Sequence, residues 1–192
     1  MARTSNQAIK FLPATSSRWA DIEELFGERG ACGGCWCMFW RVPRKVFDAQ
    51  KGSGNKRALK DIVTSNKKPG IIAYQGNEPV GWCAVAPRDC YVALERSRIL
   101  KPVDDQPVWS ISCLFVKKQF RRQGISTQLL LAAVEFAKNQ GASIVEGYPV
   151  VPSSDTAPDP FLWHGVQSSF LAAGFHEVTR RSETRPIMRK LL

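Results

Sequence analysis

The sequence of 192 residues is short of long apolar runs, of histidine, of acidic residues and of repeats or low-complexity tracts. Its longest apolar stretch, Leu129 to Val134, stops at Glu135, whereas a membrane-spanning helix needs about 20 apolar residues. The opening Met-Ala-Arg-Thr-Ser-Asn-Gln holds no apolar block of the kind a secretory leader requires. A cytoplasmic protein with no membrane partner is therefore expected. With no internal repeat, one fold must accommodate the chain, and its length suits one domain of roughly 100 to 200 residues. We read residues 1–192 as a single domain, with 87–106 inserted between strands. A chain that is 44% hydrophobic can bury about 70% of its unfolded surface. That excludes intrinsic disorder as the main state.

The deficit of acids leaves 17 Asp and Glu against 27 Lys and Arg, a formal charge of +10. Arg41 to Lys68 holds nine basic residues and two acidic ones, Lys117 to Arg122 adds four bases, and Asp21 to Arg29 runs the other way with four acids. Such patches attract nucleic acid, anionic membranes or a phosphorylated cofactor, and charge alone does not choose among them. Six cysteines in a reducing compartment are read as thiols or metal ligands. Cys32, Cys35 and Cys37 form a Cys-x-x-Cys-x-Cys array, but no second Cys-x-x-Cys pair completes a zinc signature. No metal is expected.

Hydrophobic spacing predicts a short strand at Ile9 to Leu12, then a helix capped by Thr15, Ser16 or Ser17 with Trp19, Ile22, Leu25 and Phe26 inward. Gly27, Gly30, Gly33 and Gly34 break the chain, and a cysteine- and aromatic-bearing loop, Cys35 to Arg41, leads to a second helix over Asn55 to Asn66. Gly70 to Tyr74 and Pro79 to Val85 read as a hairpin. Val108 to Val116 is a buried strand, Gly124 to Asn139 an amphipathic helix, and Ser143 to Val150 another strand. A helix over Asp159 to Ala173 and strands at Phe175 to Thr179 and Pro186 to Leu191 complete an α+β chain, a mixed α/β sandwich.

The chemistry concentrates in Leu114-Phe-Val116-Lys-Lys-Gln-Phe-Arg121-Arg122-Gln123-Gly124-Ile125-Ser126-Thr127. A strand runs into a basic turn, and a helix begins there with its free amides pointing back. Orphan N–H groups, a positive helix dipole end, a glycine and two guanidinium groups suit a phosphate or pyrophosphate. The turn is neither a Walker loop nor a Gly-x-Gly-x-x-Gly fingerprint.

Arg121-x-x-Gly124-x-Ser126 after a strand resembles the acetyl-CoA motif of the GNAT N-acetyltransferase superfamily, with Ser126 where Gly or Ala is usual. Phe170-Leu-Ala-Ala-Gly174-Phe175 resembles the family's helix ending, and the element order fits residues 7–191. The resemblance implies a splayed central mixed sheet flanked by helices, with acetyl-CoA as cosubstrate. It implies that pantetheine pairs with exposed backbone at Leu114 and Val116, and that the pyrophosphate lies on the amides of Arg122, Gln123, Gly124, Ile125, Ser126 and Thr127 beside Arg121. It also implies direct acetyl transfer to an amine, with the Leu114 amide as donor to the developing oxyanion.

In many relatives the acid is a Tyr four residues before the helix-ending glycine; here Phe170 stands there. Water, Tyr148, Cys113 or His164 are the alternative proton donors. Glu146, a carboxylate in an apolar strand, is the candidate base, because desolvation raises its proton affinity. Trp36, Phe39 and Trp40 are read as an acceptor wall with Arg41 facing a substrate carboxylate, or else as core. The expected partner is a small-molecule or peptide amine, tilted by the basic stretch towards a neutral or anionic one. Nucleic acid is not expected, and a homodimer is compatible with the sequence.

Overall fold

A computed structural model of the protein describes residues 8–152 and 162–192. The strands are β1 (Ile9–Pro13), β2 (Gly70–Gln75), β3 (Glu78–Pro87), β4 (Trp109–Val116), β5 (Ile144–Gly147), β6 (His176–Arg180) and β7 (Pro186–Leu191). The helices are α1 (Trp19–Phe26), α2 (Arg44–Ala49), α3 (Ser53–Thr64), α4 (Val92–Glu95), α5 (Ile125–Asn139) and α6 (Gln167–Ala172). The strands form one sheet in the order β1-β2-β3-β4-β5-β7-β6. Every neighbouring pair is antiparallel except β4 with β5.

Alternation along β4 explains why the sheet is covered on both faces. Ile111, Leu114 and Val116 pack towards Leu129, Leu130 and Ala133 of α5. Cys113 and Phe115 point the other way, onto Trp82 and the buried face of α1. A third cluster, Tyr91, Leu94, Leu100, Tyr148 and Ile187, closes the end of the sheet under the β3–β4 connection. The register slips between Ala84 and Val85, which leaves Ser112 as the extra residue of a bulge in β4.

Two expectations need correction. The six-residue α2 has no counterpart in the sequence reading, since its only fully inward residue is Phe47. The last helix, expected over Asp159 to Ala173, is α6 at Gln167–Ala172. Residues 159–161 lie outside the described residues, and Leu162 to Val166 form a turn and an isolated bridge. Gly165 has φ +81°, and Val166 is extended. Neither dihedral continues a helix. No helix among the described residues is long and apolar enough to cross a membrane.

Candidate active site

The basic turn between β4 and α5 has the geometry of an anion cradle. Gly124, immediately before α5, has φ +75°, a left-handed conformation that suits glycine. A Cβ built on it would meet nothing within 4 Å. Arg122 is also left-handed, with φ +60°. No side chain caps this end of the fifteen-residue α5, and its first turn carries no acid. The start of the helix therefore keeps its donors and positive dipole end for an outside anion. Arg121 donates from Nε to the carbonyl of Val116 at 2.9 Å, tying the turn back to β4. Ile125 is buried in the core, which holds the half-exposed Ser126 and Thr127 at the surface of the first turn.

Beyond this turn the sheet divides. β4 and β5 pair only from Trp109 with Val145 to Ile111 with Gly147. Past that point the chain's own turn, Leu162 to Gly165, enters between them. The Leu114 amide donates to the carbonyl of Trp163 at 2.7 Å, and the Val150 amide donates to the carbonyl of Gly165 at 2.9 Å. The Leu114 backbone, expected to be exposed, is paired on the side that faces β5. Its side chain and that of Val116 are buried against α5.

The Glu146 environment also differs from the lone carboxylate in an apolar strand that its neighbours suggest. Arg88 donates from Nη1 to Glu146 Oε1 at 3.0 Å, and Arg189 donates from Nε to Oε2 at 2.7 Å. The Tyr148 hydroxyl donates to Oε1 at 2.7 Å and lies 2.8 Å from Ser110 Oγ. Burial and the Glu146 charge hold the Tyr148 phenol well above its ordinary range, so it keeps its proton. Cys113 is buried on the α1 face, and its thiol is likewise pushed up, by a hydrogen bond with Cys37 and by burial. Sequence reasoning missed Arg88 and Arg189. The signal for Arg189 is a charge inside the apolar strand Pro-Ile-Met-Arg-Lys-Leu, which lies in register with Glu146.

The aromatic loop divides in two. Phe39 and Trp40 are half-buried and meet Trp163 and His164, with Phe39 to Trp163 ring centres 5.4 Å apart and Trp163 to His164 centres 3.5 Å apart. Trp36 instead stacks on Trp19 in the core, with its face towards Lys56. Arg41 is buried and donates from Nη2 to the carbonyl of Pro69 and to Tyr91 Oη, both at 3.1 Å. It lies over the Tyr91 ring rather than facing a substrate. Cys35 bonds the Gly30 carbonyl, and Cys37 accepts from the Trp82 indole at 3.0 Å. Among the described residues no cluster of three or more His, Cys, Asp or Glu could hold a metal ion.

His164 is 5% exposed, and the indole N–H of Trp40 donates to its Nε2 at 2.9 Å. Burial, together with the nearby Arg185 charge, pushes the imidazole well below 6.5 and keeps it neutral. Its proton-binding affinity is thus lower folded than unfolded, and acid favours unfolding once pH falls below the unfolded value of about 6.5. Urea unfolding between about pH 6.5 and 5 should show a loss approaching ~1.4 kcal/mol per pH unit from this residue. The variant His164→Leu should lose that share of the slope; equal slopes would remove the buried neutral histidine as its source.

Residues 36–156 match the model of the family described as "Acetyltransferase (GNAT) family". A GNAT-family acetyltransferase of Listeria monocytogenes superposes with a TM-score of 0.59 at 8% identity, covering 100% of this chain and 99% of that one. The PaiA N-acetyltransferase of Thermoplasma acidophilum, solved with coenzyme A, gives 0.53 at 16% identity over 96% and 99% of the two chains. An aminoglycoside N-acetyltransferase in complex with CoA gives 0.54 at 19% identity over 95% of each. At such identities the solved structures share the fold. No curated protein matches the chain.

Proposed function

Because the chain belongs to the GNAT acetyltransferase family, we propose that it transfers an acetyl group from acetyl-CoA directly to the primary amine of a small molecule or peptide. The observation that carries this reading is the junction of β4 with α5. There a left-handed Gly124 and an uncapped helix start without an acid lie at the end of the strand that parts from β5. The first-turn amides and Arg122 would hold the pyrophosphate, with charge-assisted hydrogen bonds. The amine lone pair attacks the thioester carbonyl, the new C–N bond forms, the C–S bond breaks, and the amine proton and the thiolate are settled with solvent. For the Leu114 amide to stabilise the oxyanion, the Trp163 carbonyl must first release it.

Neither a base nor an acid is free in the manner expected. Glu146 is engaged by two guanidinium groups, and the Tyr148 proton is committed to Glu146. We infer that Glu146, Tyr148 and Cys113 act in holding the sheet and that catalysis rests chiefly on proximity.

Isothermal titration with CoA tests the reading. The wild-type chain should bind with one-to-one stoichiometry, and Arg122→Glu combined with Gly124→Asp should weaken binding by at least about tenfold. No binding, or binding unchanged in the variant, would sink it. A non-catalytic acyl-CoA sensor is the second reading, favoured by the fully buried Phe170 where relatives carry an acid. CoA binding without thiol release on amino acids, peptides, polyamines or aminoglycosides would support it.

A further inference from the structure

We propose that His164 and Arg185 form a subsite for a carboxylate borne by the acceptor amine, so that the acceptor is amino-acid-like; this deepens the acetyl-transfer reading and rests on it. Two buried donors at this place lack acceptors. Trp40 donates to Nε2 of His164, so a neutral ring carries its hydrogen on Nδ1. That atom is buried without a partner. Arg185 donates from Nη2 to the carbonyl of Tyr148 at 3.2 Å, while its Nε is buried without a partner.

Arg185 is pulled down to about 10, with burial as the cause. Among the described residues no carboxylate forms an ion pair with it. A half-buried guanidinium without a counter-ion is costly, and so is a buried N–H without an acceptor. A carboxylate supplies both missing acceptors and the missing charge, in the planar geometry a guanidinium prefers.

Three observations place the two donors together and beside the transfer site. Arg185 bonds the carbonyl of Tyr148, and Gly165, next to His164, accepts from Val150, so both flank the segment just beyond β5. The Arg185 charge is felt at His164. Trp163, the residue before His164, places its carbonyl on the Leu114 amide at 2.7 Å. A carboxylate held by His164 and Arg185 would therefore leave an amine near that amide, which becomes available once the Trp163 carbonyl has released it. The half-buried rings of Phe39, Trp40 and Trp163 offer an apolar wall for the rest of the molecule. Arg41, which the sequence puts forward for the substrate carboxylate, is occupied elsewhere.

The test titrates the full chain with phenylacetate and with its neutral isostere phenylacetamide, read by tryptophan fluorescence. Phenylacetate should bind about tenfold or more tightly than phenylacetamide, and Arg185→Gln should erase that difference. Arg185→Lys should retain part of it, and circular dichroism establishes that each variant is folded. Equal binding of the two probes by the wild type, or a difference that survives Arg185→Gln, would overturn the subsite. Phenylacetate should also bind in the presence of saturating CoA; mutual exclusion would put the carboxylate site within the donor's and overturn its assignment to the acceptor. Failure of the wild type to bind CoA removes the acetyl-transfer reading itself. Loss of the selectivity with CoA binding intact removes only the subsite.

Discussion

Replacing Glu146 with glutamine is expected to destabilise the fold by about 3–5 kcal/mol, the usual effect of breaking a buried ion pair by removing one partner. The carboxylate is fully buried, and its two oxygens satisfy Arg88 and Arg189, which are themselves about nine-tenths buried. Glutamine keeps the shape but offers one acceptor and turns an N–H₂ group towards a guanidinium. The outer partners soften the loss only in part. Glu95 pairs with Arg88 at 2.9 Å and Asp104 with Arg189 at 2.7 Å, yet both acids are substantially exposed.

The same variant separates two roles for Glu146. The network ties β5 to β7 by the register of Glu146 with Arg189, and ties the β3–β4 connection to the sheet through Arg88, which also bonds the carbonyl of Leu100 at 2.8 Å. If Glu146 holds these parts together, urea unfolding of Glu146→Gln will show the full loss. A catalytic base would give a different result, with stability within about 1 kcal/mol of wild type and kcat falling while CoA affinity stays.

The sequence was most legible where local signals agree. The turn from Val116 to Thr127 combines a strand, a glycine, basic residues and an amphipathic helix within a few residues, and strand, turn and helix all appear at the expected place. The hairpin at Gln75 to Glu78 and the inward face of α1 were legible for the same reason. The surroundings of Glu146 were not. Its partners lie 58 and 43 residues away in sequence, and no local periodicity reports a contact of that span. The turn at Leu162 to Gly165 was hidden because Phe161, Leu162, Val166 and Phe170 have helical spacing. Pairing with Leu114 and Val150 overrides that weak propensity. An arginine beside tryptophans reads equally well as a substrate ligand or as a buried donor, and no local signal reports that Arg41 bonds the Pro69 carbonyl and Tyr91, 28 and 50 residues away.

The second large effect is expected at Gly147, the last residue of β5. A Cβ added there would lie 2.2 Å from Cε1 and 2.8 Å from Cζ of Phe170. The ring is fully buried and packs edge-to-face on Phe175 at 5.1 Å. On its other side it faces Gly165, where a Cβ would lie 3.0 Å from Cε2 and 2.7 Å from Leu114 Cδ1. A rigid ring held between two glycine backbones has no rotamer into which it can retreat, so Gly147→Ala should cost about 3 kcal/mol, at the upper end for overpacking. Phe170→Leu alone should cost about 1–3 kcal/mol through the cavity it leaves. In the double variant the smaller side chain admits the new methyl, and the summed loss should fall short of additivity by at least about 1 kcal/mol. Strict additivity in urea unfolding would show that the strand, not the ring, yields. The coupling bears on function because Gly147 ends the β4–β5 pairing and Gly165 belongs to the turn that engages the Leu114 amide. If the coupling is found, the volume of Phe170, packed between Gly147 and Gly165, sets how closely that turn approaches β4.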